Sequence, residues 1–314
     1  MEWPLDTAVE KESILQIYLS NGWGGLEIYL IRISKEFISK GYKVFGLCLA
    51  GTKAAKEMQA AGIKTFEVKS RKHLILKQLN SVNDWLVANK VQVTHAHKSK
   101  DVLISALLNS LTARKAFFTE HVGGKSSKKD IYHRLTYRHL RKVFSISQDT
   151  YQRNLRTLPV PSEKIVKLWH GVKIFSLPSE EEILACRNAL NIRSTRFLIG
   201  CVGRLLDEKG QLDLLKAFKI ITRRRNDCEL FLVGSLKETE DTNIPFVKKL
   251  EAYIQSERLT DKVSLLGYRS DIFEILTAMD ITCIPSHNEA FGLTAIEAMS
   301  SQKAIVASNS GALP

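Results

Sequence analysis

Residues 281–314 read ITCIPSHNEAFGLTAIEAMSSQKAIVASNSGALP. The apolar run Ile281–Pro285 has the length and β-branched character of a buried strand. A polar corner follows, Ser286-His287-Asn288-Glu289, then a helical pattern from about Gly292 to Gln302 and a second strand over Ala304–Ser308. Strand, loop, helix, strand is one parallel α/β unit. In such sheets ligands bind at the carboxyl ends of the strands, against helix N-termini. Glu289 lies in the loop and Glu297 inside the helix, and Phe291-Gly292-Leu293-Thr294 forms the helix start between them. The N–H groups of that first turn point back toward the loop, where an anion would sit. Glu297, two turns along, reaches a ligand's hydroxyls only if the ligand lies along the helix. A molecule with a phosphate at one end and hydroxyls at both fits this layout, and a nucleotide sugar is such a molecule.

The segment SHNEAFGLTAIEAM resembles the E-x7-E signature of the retaining GT-B glycosyltransferases, family 4 or "group 1", which transfer sugars from nucleotide diphosphate donors. Two glutamates on the surface of an unrelated helix would show the same spacing, so the remaining chain has to supply partners. The resemblance implies an α/β fold of the GT-B kind: two Rossmann-like, doubly wound parallel-sheet domains facing a cleft.

At 314 residues the chain is long enough for two domains of ordinary size. Hydrophobic content of 44% with 25% charged residues is that of a soluble globular protein, which argues against disorder. No apolar run approaches the ~18–20 residues of a membrane span. The start, MEWPLDTAVEKES, is acidic and lacks an apolar secretory core, so a cytoplasmic location is expected. The five cysteines form no C-x-x-C pair and are expected to be reduced, with Cys48, Cys201 and Cys283 inside strand patterns. Up to Val172 there are 28 Lys and Arg against 14 Asp and Glu, a balance of +14; the remainder has 18 against 19, a balance of −1. The excess in the first half suggests attraction to an anionic surface or acceptor, with a merely solvated basic face as the plain alternative.

In the first half, Ile14–Leu19 reads as a buried strand ending in Ser20-Asn21-Gly22-Trp23-Gly24-Gly25. A helix follows with Leu26, Leu30, Ile33 and Phe37 on one face. Strand, glycine-rich turn and helix can cradle a phosphate. The turn is neither a G-x-G-x-x-G nor a Walker loop, but it resembles the family's Gly-Gly loop, which places Gly24 and Gly25 beside donor phosphate and acceptor. The alternation continues through Val44–Leu49, a helix near Ala54–Ala61, Thr65–Val68, a helix around Leu74–Ala88, and Val91–His97. His97 stands at a strand end, as a ligand group or a structural hydrogen-bonder. The next strand, Lys115–Glu120, is followed by His121, and the family has a histidine at the matching strand end near the transferred sugar. The resemblance therefore makes His121 a donor-site residue, suited to protonating a developing phosphate charge. In the basic segment Lys125–Lys142, wound as a helix, Arg134, Arg138, Arg141 and Lys142 fall within roughly 100°. Such a face can rest on anionic lipid head groups; nucleic acid is the less favoured partner. A strand over Val143–Ser147 and another over Ile165–Leu168 lead to Trp169-His170-Gly171-Val172. The family usually has Asn-Gly-Val and an acid there, marking the crossover between domains. His170 and Lys173 depart from that pattern, and the expected boundary lies between residues 174 and 175.

In the second half the strand Phe197–Val202 is followed by Gly203-Arg204-Leu205-Leu206-Asp207-Glu208-Lys209-Gly210. Two cations on one such loop can converge on one diphosphate. In the family the matching residues hold the donor diphosphate, a role the resemblance carries to Arg204 and Lys209. Glu229–Val233 and Val263–Leu266 complete the rhythm, and Tyr268 follows the second, where the family's backbone meets the nucleobase. The resemblance further implies that Glu297 holds ribose hydroxyls, that Glu289 with Phe291 and Gly292 orients the sugar, and that Leu293 and Thr294 lend N–H groups to phosphate. No tightly bound cofactor and no metal are expected; the donor is a UDP- or GDP-linked sugar, and the acceptor a saccharide or lipid-linked hydroxyl. Family members continue beyond the equivalent of Pro314, so the resemblance implies a C-terminally short second domain. The resulting expectation is glycosyl transfer in cell-surface polysaccharide, lipopolysaccharide or glycolipid synthesis, on the cytoplasmic membrane face. The alternatives are a sugar-nucleotide epimerase or hydrolase on the same fold, or a non-catalytic basic binding protein.

Overall fold

The computed structural model describes residues 11–124, 126–172, 174, 176–192, 195–237 and 242–314. These fall into two compact units, Met1–Trp169 and His170–Pro314, dividing between Trp169 and His170 where the sequence suggests 174/175.

The first unit runs β1 Ser13–Tyr18, α1 Gly25–Ser39, β2 Val44–Leu49, α2 Lys53–Ala60, β3 Lys64–Val68, then the short α3 Arg71–His73. A π-helical turn, Leu74–Gln78, joins α3 to α4 Leu79–Ala88. There follow β4 Val91–Ala96, α5 Val102–Leu111, β5 Lys115–Glu120, α6 Ile131–Tyr137, β6 Leu140–Ser145, α7 Gln148–Thr157 and β7 Ile165–Lys167. All strands pair in parallel, in the order β3-β2-β1-β4-β5-β6-β7. Parallel strands covered on both faces are buried along their length, and β1 is buried at all six positions, with Ser13 and Gln16 its polar members. Leu15, Ile17, Leu47, Val82, Leu86 and Leu108 form the core on one side of the sheet. Leu30, Ile31, Cys48 and Met58 form it on the other.

The second unit contains α8 Glu180–Ala189, β8 Phe197–Val202, α9 Gln211–Thr222, β9 Cys228–Val233, α10 Ile244–Ser256, β10 Val263–Gly267, α11 Ile272–Ala278, β11 Ile281–Ile284, α12 Leu293–Ser300 and β12 Ala304–Ala307. Its sheet is also parallel, in the order β10-β9-β8-β11-β12. Leu214, Leu215, Phe218, Leu230, Leu232 and Leu250 pack one face. Leu198, Phe231, Ile275, Leu276 and Met279 pack the other.

One reading of the sequence fails here. The basic segment is not a single helix. Asp130 caps α6 by accepting the His133 N–H, the helix ends at Tyr137, and the chain is already in β6 by Leu140. Arg141 and Lys142 are therefore strand residues and cannot share a helical arc with Arg134 and Arg138. Burial of Leu140 and Val143 in β6, on either side of a register shift in its pairing with β5, overrides the helical spacing of the cations. The strand expected over Val143–Ser147 is this same β6, shifted toward the N-terminus. Lys125, the first residue of that segment, and Lys173 lie outside the described residues.

Candidate active site

In an open α/β sheet the ligand crevice lies where the strand order reverses, outside the carboxyl ends of the two central strands. In the second unit that point falls between β8 and β11. The loop leaving β8 carries Arg204 and Lys209, and the loop leaving β11 carries Glu289. Lys209 Nζ donates to Glu289 Oε2 at 2.6 Å. The pair is largely withdrawn from water, with side-chain exposures of 20% and 16%.

Backbone contacts hold these loops together. The His287 N–H donates to the Glu208 carbonyl at 2.9 Å. Gly210, at φ +72°, ends the β8 loop and starts α9, and a Cβ there would run into the Pro285 carbonyl. Glu289 is also fixed from the far side, because its carbonyl accepts the Ala312 N–H at 2.8 Å. A side chain on Gly311, at φ +63°, would collide with the Glu289 backbone.

Other sequence-expected residues of this unit follow the carboxyl ends of its strands. Gly292 caps α12 in the left-handed region, and Leu293 and Thr294 form its first turn. Thr294 Oγ1 lies 3.4 Å from the Val202 carbonyl at the end of β8. Glu297 is half-buried in the same helix. Arg204 is exposed, and its carbonyl accepts from Gln211 Nε2 at 2.8 Å. Phe291 packs its ring on His170 with centroids 4.9 Å apart. Burial holds the His170 imidazole down to about 4, so it is neutral at physiological pH. Tyr268 is exposed just after Gly267, which takes φ +72° at the end of β10. The arrangement puts an arginine, a lysine and the start of α12 on neighbouring segments at the carboxyl ends of β8 and β11. Lys209 already has Glu289 as a partner, so an incoming anion shares this lysine with the carboxylate.

In the first unit the reversal falls between β1 and β4. Gly24 caps α1 and Gly25 opens it. The Gly24 N–H donates to Glu27 Oε2 at 2.7 Å, and the Tyr18 hydroxyl donates to the other oxygen of Glu27. The helix start thus carries a carboxylate of its own, which the glycine pattern did not announce. Lys98 Nζ donates to Ser20 Oγ at 2.7 Å. Asp101, fully buried, accepts the Leu19 N–H at 3.2 Å and pairs with Arg71 at 2.8 Å. Burial raises the Asp101 pKa, and Arg71 opposes that rise. His97 and His121 stand at the ends of β4 and β5 with ring nitrogens 3.3 Å apart, both buried. Among the described residues there is no group of three or more His, Cys, Asp or Glu that could hold a metal ion. None of the described helices is long and apolar enough to cross a membrane.

Residues 23–174 match the family model described as Glycosyltransferase Family 4, and residues 182–314 match the one described as Glycosyl transferases group 1. The chain belongs to the family 4 glycosyltransferases. A relative within this group is the lipopolysaccharide core biosynthesis mannosyltransferase LpcC of Rhizobium leguminosarum bv. viciae. It is 28% identical over 225 residues, which take in 70% of this chain and 59% of LpcC. The match thus spans less than two thirds of that relative. Among solved structures, a glycosyltransferase from Rickettsia africae ESF-5 superposes with a TM-score of 0.86 at 24% identity, covering 97% of this chain and 81% of the other. Anabaena Alr3699/HepE, solved in complex with UDP-glucose, gives 0.81 at 22% identity over 96% and 81%. At these identities the likeness is one of fold, and the fold is GT-B.

Proposed function

We propose that this chain transfers a sugar, with retention of configuration, from a nucleotide diphosphate sugar to an acceptor hydroxyl. The observation that carries the reading is the Lys209–Glu289 pair at the β8/β11 reversal, flanked by Arg204 and the N-terminus of α12. Arg204 and Lys209 neutralise the diphosphate. Glu297 takes the ribose hydroxyls, and Glu289 with the Phe291-Gly292 backbone orients the sugar. Leu293 and Thr294 add N–H groups, and Tyr268 borders the base.

In the transfer the bond from the anomeric carbon to the phosphate oxygen breaks, and the nucleoside diphosphate leaves with the electron pair. The acceptor oxygen bonds to the anomeric carbon on the same face and gives its proton to the leaving phosphate oxygen. Charge grows on the phosphate during this step, which is where a guanidinium and an ammonium on one loop stabilise it best. The donor is a UDP- or GDP-linked sugar, supported by the UDP-glucose bound to the Anabaena neighbour. A role in lipopolysaccharide or capsule-type polysaccharide synthesis is supported by the similarity to LpcC.

The first unit faces a lipid-linked acceptor in this reading, and an anionic membrane surface is its second partner. On α6 Ile131, Tyr132 and Leu135 are 77%, 53% and 54% exposed, with Arg134 and Arg138 exposed on the same short helix and cap. Apolar side chains ringed by cations are what an anionic interface attracts. Location on the cytoplasmic face follows as part of this proposal.

Calorimetric titration with UDP, GDP and ADP, without added metal, tests the donor site. One nucleotide is expected to bind, and Arg204→Ala to weaken it at least tenfold. A folded protein that binds none of the three removes the proposal.

A further inference from the structure

Arg204 is exposed, but the backbone before and after it is fixed. The Gly203 N–H donates to the Val233 carbonyl at 2.9 Å, just past the point where Val202 and Val233 are in register. Leu205 is 1% exposed and belongs to the same core as Leu214 and Leu215 of α9. Gly234, after β9, leaves room for this strip of chain. A Cβ there would come within 2.2 Å of the Gly203 carbonyl oxygen and 3.0 Å of Leu205 Cγ. The Arg204 carbonyl itself accepts from Gln211 Nε2 at 2.8 Å.

Gln211 is the first residue of α9 and is 1% exposed. A backbone carbonyl only accepts, so the amide nitrogen faces it and the amide oxygen points away. That oxygen, Gln211 Oε1, is buried and has no hydrogen-bond partner among the described residues. An unpaired buried acceptor lowers stability, and an apolar side chain of the same length would fill the site without that loss. Packing therefore does not call for an amide at this position. What the amide supplies is one donor, and the group that receives it is the peptide of Arg204.

We infer that Gln211 is a positioning residue for Arg204: its hydrogen bond to the Arg204 carbonyl fixes the backbone on which the guanidinium is mounted, so that an anionic ligand meets the arginine already placed. The gain is entropic, because a loop ordered before binding leaves less to be ordered by the ligand. Lys209 is held by a different device, its ion pair with Glu289. The inference rests on the donor-site reading for the identity of the ligand, a nucleoside diphosphate; the restraint on the Arg204 backbone does not depend on it.

Calorimetric titration with UDP and GDP is compared for the full chain, Gln211→Met, Arg204→Ala and the double variant. Gln211→Met is expected to weaken the nucleotide about three- to tenfold when Arg204 is present, and to add nothing when Arg204 is alanine. Alanine keeps the backbone carbonyl, so a purely structural effect of the hydrogen bond would persist in that background. Equal weakening in both backgrounds, or none in either, overturns the inference. The denaturation midpoint of Gln211→Met is expected to stay at or above that of the parent. A much lower midpoint, or failure to fold, marks the amide as structural and overturns the inference as well. A second measurement does not need the ligand: nitrogen relaxation of the Arg204 amide. It is expected to be as rigid as that of Cys201 in the parent and to loosen in Gln211→Met. An Arg204 amide that is mobile in the parent, or equally rigid in the variant, overturns the inference. If the folded parent binds no nucleotide, the donor-site proposal fails, and relaxation alone then decides the role of Gln211.

Discussion

Lys209 and Glu289 are eighty residues apart in the chain and 2.6 Å apart in space. Spacing alone suggested each as a ligand group but not as each other's partner. Lys209→Met leaves a mostly buried carboxylate without its cation, and the second unit is expected to lose about 1–3 kcal/mol of stability. Nucleotide affinity should fall about 10–100-fold in the same variant, read by calorimetry alongside chemical denaturation. Undiminished affinity would take Lys209 out of the donor site. His95 gives a prediction in pH. Burial depresses its pKa from 6.5 to about 4. Between these values the unfolded chain binds a proton that the folded chain refuses, so stability is full above pH 6.5 and falls as the pH drops toward 4. Denaturation curves at pH 7.5 and 5 should differ by on the order of 1–2 kcal/mol for this group. His95→Gln, which retains a partner for Thr119, should flatten the slope; an equal slope in the variant would assign it elsewhere.

The loops at the β8/β11 reversal are shaped by glycines whose need is steric. Gly210→Ala both forces a left-handed backbone and drives a Cβ into the Pro285 carbonyl, so α9 and the β11 loop must separate. A loss of about 2–4 kcal/mol is expected, with weakened nucleotide binding. Gly51, also left-handed at φ +72° but with open space around it, is the comparison: Gly51→Ala should cost only about 1 kcal/mol. Similar losses in the two variants would mean that the close approach of the loops contributes little. The strands from β1 to β5 and from β8 to β12 are legible as apolar runs to within a residue or two. The helices Val102–Leu111, Gln148–Thr157, Ile244–Ser256 and Ile272–Ala278 drew no reading, although the alternation of the fold requires a covering layer there. The basic segment 125–142 carries cations at helical spacing, and β6 shows no clean alternation to oppose them, because its buried Leu140 and Val143 lie on either side of a register shift against β5.

Across the whole molecule, charge is partitioned between the halves: +14 up to Val172 and −1 beyond it. Vesicle binding by the intact protein should therefore depend on the first unit. Co-sedimentation with vesicles containing about a third anionic lipid is expected, weakening with salt. Ile131→Ser with Leu135→Ser should reduce it, and Arg134→Ser with Arg138→Ser should reduce it by about fivefold per charge. Vesicle binding that survives both pairs of substitutions would move the membrane contact away from α6.

The sequence by itself determined the class of fold, the positions of the main strands and the candidate donor residues. These are written in local signals: apolar runs, glycine-rich strand ends and the spacing of Arg204, Lys209, Glu289 and Glu297. Tertiary structure alone decided the strand order, and with it which strand ends become neighbours. It brought the loops of β8 and β11 together, set Glu27 at the start of α1, and placed Gln16, His97 and His121 within hydrogen-bond distance of one another. Such contacts join residues far apart in sequence, and the direction of a hydrogen bond exists only once donor and acceptor face each other.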